Sequence, residues 1–233
     1  MTRLLVFISV FFVMVAGTAS GAGAPQLSAL EIFDGMIHYE CDQLAKEPNT
    51  SDYHCKVTQT VEKAGTRTME TVEKDLYFMI PIYQLHISDG KPVYYVDDDL
   101  LVITLEGNEL RRERDVKIDG VDCYAIRTTP VDPAFSRFNV IYCVAKDDFR
   151  HVRTTKHGSS SELDNTITTS DYTYGPAGSF TLLQKTVAVT TDTEGTVLHT
   201  VTAEYTDYEF NIGLTLEFFA EWLADWRPNP IWN

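Results

Sequence analysis

Positive charge is scarce in this chain. Lysine and arginine together number 19 against 34 aspartates and glutamates, for a formal net charge of −15. Such a surface repels phosphates, so no nucleic-acid partner is expected, and electrostatic docking on an anionic membrane is disfavoured. Catalytic and metal-binding signatures are also missing. Among His38, His54, His86, His151, His157 and His199 there is no H-x-x-x-H pair, and none neighbours a cysteine at ligand spacing. His199 alternates with Val197 and Val201, the pattern of a half-buried strand histidine. Gly158-Ser159-Ser160-Ser161 lacks the second glycine of a nucleophile elbow, so with His157 beside it the run reads as a polar loop. Asp97-Asp98-Asp99 and Asp147-Asp148 lack the spaced ligands of a calcium loop and read as solvated turns. No metal, no cofactor and no catalytic residue is expected, and the chain does not read as an enzyme.

Long apolar runs are absent after the first two dozen residues. Before that, Arg3 is followed by an apolar stretch over 4–16 and by small residues over 17–24. This order predicts a secretory signal peptide over residues 1–24, cleaved near Ala22. The stretch is too short for a transmembrane helix. Residues 25–233 are then expected in a periplasm or outside the cell, as one domain. Their number is within reach of a single all-β fold and can bury a sizeable core.

The cysteines number only four and include no C-x-x-C pair, which argues against metal or redox chemistry. An even number in an exported chain points to disulfides. The expected pairs are Cys41–Cys55, joining a helix to the strand after it, and Cys123–Cys143, joining successive strands.

What is present is alternation. Ser28-Ala29-Leu30-Glu31 is a capping box. Leu30, Phe33, Ile37, Cys41 and Leu44 follow it at helical spacing, which predicts an amphipathic helix of about five turns. Strand signals then fill the chain. Val57 and Val61, then Leu76 and Phe78, then Leu85 and Ile87 alternate with polar residues, and Asp89-Gly90 and Asp119-Gly120 mark turns. Val187 and Val189 share a strand face, and so do Val197, Val201, Ala203 and Tyr205. About a dozen short strands at this spacing predict a sandwich or barrel. Leu216, Phe219, Leu223 and Trp226 form the stripe of a C-terminal helix that Pro228 ends. With Phe218, Trp222 and Trp232 nearby, this helix reads as a cap on a barrel mouth, or as a lid over cargo.

Several soft patterns recur in a familiar order. They are the N-terminal helix leading into residues 52–61, Ile87-Ser88-Asp89-Gly90-Lys91-Pro92-Val93-Tyr94-Tyr95, and Val116-Lys117-Ile118-Asp119-Gly120-Val121-Asp122-Cys123-Tyr124. The basic strand Phe149-Arg150-His151-Val152-Arg153 follows, and Tyr205-Thr206-Asp207-Tyr208-Glu209-Phe210-Asn211-Ile212-Gly213-Leu214 ends the series. This series resembles the LolA-like, outer-membrane lipoprotein-sorting superfamily, which is also related to the amino-terminal part of RseB. The resemblance implies a mainly β protein: an antiparallel, unclosed β-barrel of about 11–12 strands, covered by N- and C-terminal helices. It implies a periplasmic carrier of lipoprotein acyl chains or another lipid, working between membrane-protein donors and acceptors. Such carriers keep an arginine in the cavity, and Arg67 is the candidate here. The expected cavity wall is Val57, Val61, Leu76, Phe78, Leu85, Ile87, Tyr95, Val102, Ile126 and Val140. A regulatory module that senses envelope lipids or protein partners is the second reading, and an envelope hydrolase the third.

Overall fold

A computed structural model describes residues 26–65, 69–80, 83–96, 107–132, 138–158 and 165–224, with the side chains of 94–96 excepted. The signal peptide expected over 1–24, Arg67, Asp97 to Asp99, Val102, Ser159 to Ser161, Trp226, Pro228 and Trp232 lie outside the described residues.

Among the described residues, three helices and twelve strands follow in order: α1 (Ala29–Ile37), α2 (Tyr39–Leu44), β1 (Asp52–Lys63), β2 (Met69–Met79), β3 (Tyr83–Ser88), β4 (Lys91–Val96), β5 (Asn108–Arg112), β6 (Val116–Ile118), β7 (Val121–Pro130), β8 (Val140–Ala145), β9 (His151–His157), β10 (Ile167–Ala177), β11 (Phe180–Thr191), β12 (Val197–Phe210) and α3 (Leu216–Leu223). All strands belong to one antiparallel sheet in the order β4-β3-β2-β1-β12-β11-β10-β9-β8-β7-β5, with β6 also on β7. The first and last strands therefore pair in its middle, and β4 and β5 are its edges. The barrel is not closed, as the resemblance implied.

Local chemistry explains many of these elements. Ser28 and Glu31 form the reciprocal capping box that starts α1. At Asp89-Gly90 and Asp119-Gly120 both residues have positive φ, as tight two-residue hairpins require. The start of β1 is tied to the end of β12 through buried Asp52, whose Oδ1 accepts from the Ile212 backbone N–H at 2.7 Å.

The single long N-terminal helix expected from the pattern is two helices. They break at His38, whose φ of −90° and ψ of 0° leave the helical range. The break lets α1 and α2 address different strands of the same face. Phe33 on α1 meets Tyr142 of β8 edge-on at 5.4 Å. Tyr39 on α2 meets Tyr174 of β10 at 5.2 Å, and Glu40 accepts a hydrogen bond from Tyr53 of β1 at 2.8 Å. Seven helical residues rise about 10 Å. A flat sheet would place β8 and β1 about 24 Å apart at its normal strand spacing. The sheet therefore curls around the two helices, and the face they occupy is the inner one.

Two clusters fill that face. Ile32 and Phe33 pack on Ile126 and Val144, and Leu44 packs with Tyr53, Cys55, Val57, Leu76, Phe78 and Leu182. Burying each large side chain contributes about 1.5–3 kcal/mol. The C-terminal helix lies elsewhere. Phe219 packs with Met79, Leu85 and Ile87, which point away from the N-terminal helices. Pairing opposes Tyr77 to Leu85 and Asp75 to Ile87, whereas Leu76 and Phe78 face inward. Within the described residues, α3 thus covers the outer face near one sheet edge rather than a barrel mouth.

The disulfide expectation is wrong. None of the four cysteines is bridged. Cys123 stands opposite Ala145 and Cys143 opposite Ala125, so the two are diagonal neighbours on the outer face. Diagonal positions lie about 7–8 Å apart, too far for a disulfide without backbone movement. Cys41 and Cys55 meet in one apolar cluster under α2. Burial pushes the Cys55 thiol's ionisation well above its usual range. A protonated, enclosed thiol is a poor nucleophile for disulfide formation.

Candidate functional site: the inner face of the open barrel

The inner face is set by register. Tyr53, Cys55, Val57, Gln59 and Val61 of β1 point inward, with Leu76, Lys74 and Val72 of β2 beside them. On the other side Tyr205, Ala203 and Val201 of β12 continue the surface, followed by Thr186 and Ala188 of β11 and Tyr172 and Ser170 of β10. Thr154 and Lys156 of β9, Tyr142 and Val140 of β8 and Ile126 and Thr128 of β7 complete it.

Part of this face is core beneath the helices, and part keeps accessible surface. His151, Tyr172, Tyr174 and Tyr205 each keep some accessible surface. Burial is nevertheless the largest influence on the ionisation of all four. It pushes His151 down to about 3 and the three phenols up. Lys156 is exposed, yet burial also lowers its ionisation. These inward side chains are thus surrounded by protein on most sides while part of each is still accessible.

The wall is polar as well as apolar. His151 stacks on Tyr172 with ring centroids 3.9 Å apart, and its Nε2 lies 2.6 Å from Thr154 Oγ1. Lys74 donates to Gln59. Burial, with Lys74 nearby, lowers His86 to about 4. Burial also raises Glu40 above the usual carboxylate range, against the opposing hydrogen bond from Tyr53. Both histidines are neutral near pH 7. Two grooves are present. One, of about 240 Å³, is lined by outward residues such as Thr58, Thr60, Thr202 and Glu204. The other, of about 380 Å³, lies beside Ile118, Val121, Val152 and Arg150 and is also lined by Tyr172 and Tyr174.

Of the residues expected to line a cavity, Val57, Val61, Leu76, Phe78, Ile126 and Val140 are on the inner face. Val57, Leu76, Phe78 and Ile126 are buried there, while Val61 and Val140 are half-buried. Leu85 and Ile87 are on the outer face under Phe219. The backbone of Tyr95 on β4 pairs with Leu85 of β3, but the Tyr95 side chain, like the whole of Val102, is outside the described residues. Sequence reading missed Glu40, His151, Lys74, Lys156 and the inward tyrosines. The signal was available at Tyr205, which alternates with Val201 and Ala203.

Other candidates separate. His54 is on the outer face, 2.9 Å from Asp75, and His38 is 3.3 Å from Asp34. Asp148 accepts from Arg150 at 2.7 Å, an ordinary turn ion pair. Among the described residues no group of three or more His, Cys, Asp or Glu is placed to hold a metal ion. No helix among them is long and apolar enough to cross a membrane.

No protein family matches the sequence, and no curated protein matches it. Solved structures do. A DUF1329 family protein from Desulfovibrio piger has a TM-score of 0.55 at 10% identity, over 82% of this chain and 97% of that one. A putative outer membrane lipoprotein-sorting protein domain from Vibrio parahaemolyticus has a TM-score of 0.54 at 11% identity, over 81% and 97%. A LolA superfamily protein from Nitrosomonas europaea has a TM-score of 0.51 at 11% identity, over 83% and 98%. The fold is LolA-like. At these identities the likeness is one of fold, and the LolA-like fold spans nearly the whole of each neighbour.

Proposed function

We propose that this protein is an exported LolA-like binding protein. In this reading the hollow on its inner face carries the acyl chains of a lipoprotein or another lipid. Residues 1–24 are removed on export, and residues 25–233 act in the periplasm or outside the cell as one domain. What supports the hollow is the set of inward side chains that protein surrounds while water still reaches them. Val61, Val140, Val201 and Ala203 supply apolar wall, and Val57, Leu76, Phe78 and Ile126 form its floor where the helices pack. Each methylene buried there contributes about 0.8 kcal/mol, so a single long chain suffices for useful affinity. The neighbours described as a lipoprotein-sorting domain and a LolA superfamily protein support the reading. Binding is noncovalent, and membrane-protein donors and acceptors are its expected partners.

Native mass spectrometry after gentle purification tests this. A lipid-sized adduct that solvent extraction removes is expected. Protein that carries no adduct and binds no lipid-like probe would overturn the proposal.

A further inference from the structure

The inner face holds a carboxyl group under the helices that acyl-chain binding does not require. Glu40 is carried by α2 over the middle of the sheet, and its Oε2 accepts from Tyr53 Oη at 2.8 Å. A carboxylate offers about four lone-pair sites, so most of its accepting capacity is unused by this bond. Oε1 accepts no hydrogen bond from a described residue and is not among the sealed polar atoms that lack a partner. It therefore borders accessible space.

Its immediate surroundings are aromatic, with Arg150, Asp147 and Asp148 beyond Tyr39 and Asp75 beyond Cys55. From α2 comes Tyr39, from β1 Tyr53 and Cys55, from β10 Tyr174, and from β12 Tyr205 and Tyr208. Burial raises the ionisation of all six and keeps them neutral, and the Glu40 carboxylate adds to the shift. Tyr53 and Tyr208 are ring neighbours at 5.4 Å, and Tyr39 and Tyr174 at 5.2 Å. No basic side chain contributes to the shift on Glu40, among the described residues. A carboxylate ringed by tyrosines, with no cation of its own, is the chemistry that recognises an ammonium group. The carboxylate supplies the charge, and the half-buried rings of Tyr174, Tyr205 and Tyr208 add the attraction of an aromatic quadrupole, while Tyr39 and Tyr53 are buried behind them.

We propose that Glu40 and the tyrosines around it form a headgroup subsite for a cationic amphiphile, one that carries an amine or quaternary ammonium at the end of an acyl or alkyl chain. This rests on the carrier reading above and names the cargo chemistry for the same hollow. The bulk charge of the protein agrees with it, since an acidic surface attracts cations. Ionisation ties in as well. Burial favours the neutral acid, and a bound ammonium favours the carboxylate, so cation binding releases a proton from Glu40.

The test uses the mature chain and three probes below their micelle concentrations: dodecyltrimethylammonium, dodecyl sulfate and dodecanol. Glu40→Gln is nearly isosteric and still accepts from Tyr53, so the anchoring of α2 survives. The expected result is ammonium binding at least tenfold tighter than that of the sulfate, and a tenfold or greater loss in Glu40→Gln. Dodecanol is expected to bind both proteins alike. Ammonium affinity rises with pH as Glu40 ionises, and Glu40→Gln abolishes that rise. Equal ammonium affinity in a folded Glu40→Gln protein overturns the subsite. If dodecanol still binds, the carrier reading stands without the subsite. If no probe binds either protein, the carrier reading itself is overturned and the subsite with it.

Discussion

The ring of Phe219 on α3 lies 5.5 Å from that of Tyr83 on β3, on the face of the sheet opposite the N-terminal helices. Phe219 is 2% exposed, with Leu85 and Ile87 beneath it. The C-terminal helix therefore acts as cladding for an edge of the sheet. Truncating a buried phenylalanine to alanine costs about 3–5 kcal/mol. In a domain of this size that lowers Tm by roughly 10 °C. Phe219→Ala is expected to show such a loss in a thermal melt, with little change in probe affinity. An unchanged Tm would remove the structural role.

Cys123 and Cys143 are offset by one diagonal step in the β7–β8 ladder, and neither bridges. Burial raises Cys143 to about 11, with the Cys123 thiol beside it adding to the shift. Unfolding in denaturant without reductant is expected to let an alkylating reagent label all four thiols, whereas the folded protein reacts slowly. Reductant is expected to leave Tm unchanged. Peptide mapping that found either expected pair bridged would contradict this.

Gly35 on α1 has no room for a side chain. A Cβ there would stand 2.7 Å from Cδ1 and 2.8 Å from Cγ of Phe149. Alanine normally gains about 1 kcal/mol over glycine inside a helix. Here the ring must shift, and overpacking costs typically 1–3 kcal/mol. Gly35→Ala is expected to lower stability in urea titrations, and a clear gain would show that α1 is not held so closely.

Acid should weaken the fold through His151. Its ionisation is depressed to about 3 when folded, against about 6.5 for a free histidine. The unfolded chain thus binds more protons between these values. The stabilising contribution is complete above about pH 6.5 and is lost as pH falls toward 3, by at most about 1.4 kcal/mol per unit. Glu40, raised by burial, has the opposite sign, since stability falls as pH rises through its folded value. His151→Gln is expected to flatten the acid limb of stability against pH. An unaltered limb would place the acid-sensitive group elsewhere.

Much of this fold was legible locally. The capping box at Ser28, the Asp-Gly hairpins and the period-two strands depend on neighbours in sequence and were read correctly. Assignments that depend on register were not legible. Leu85 and Phe78 read alike, yet one lies under Phe219 and the other stacks on Tyr53. Val187 and Val201 likewise take opposite faces, because Val187 stands opposite Thr202 and Val201 opposite Ala188. Position along the alternation does not say which face the helices cover. The polar wall was hidden for the same reason. Glu40 looks like an ordinary solvent-facing position of an amphipathic helix, and only the break at His38 brings it over Tyr53.

Val61 and Thr60 give the most direct test of the carrier account, because adjacent strand residues point to opposite faces. Val61 is inward, opposite Val201, and Thr60 is outward, opposite Thr202. Equilibrium titration of a fluorescent fatty-acid probe should be compared in Val61→Trp and Thr60→Trp. Both sites are half-buried, so both proteins are expected to fold, as circular dichroism will check. An indole at 61 fills the hollow and should weaken the probe tenfold or more, whereas an indole at 60 should leave it within twofold. Equal affinities in the two folded proteins would place the ligand outside the inner face and contradict the account.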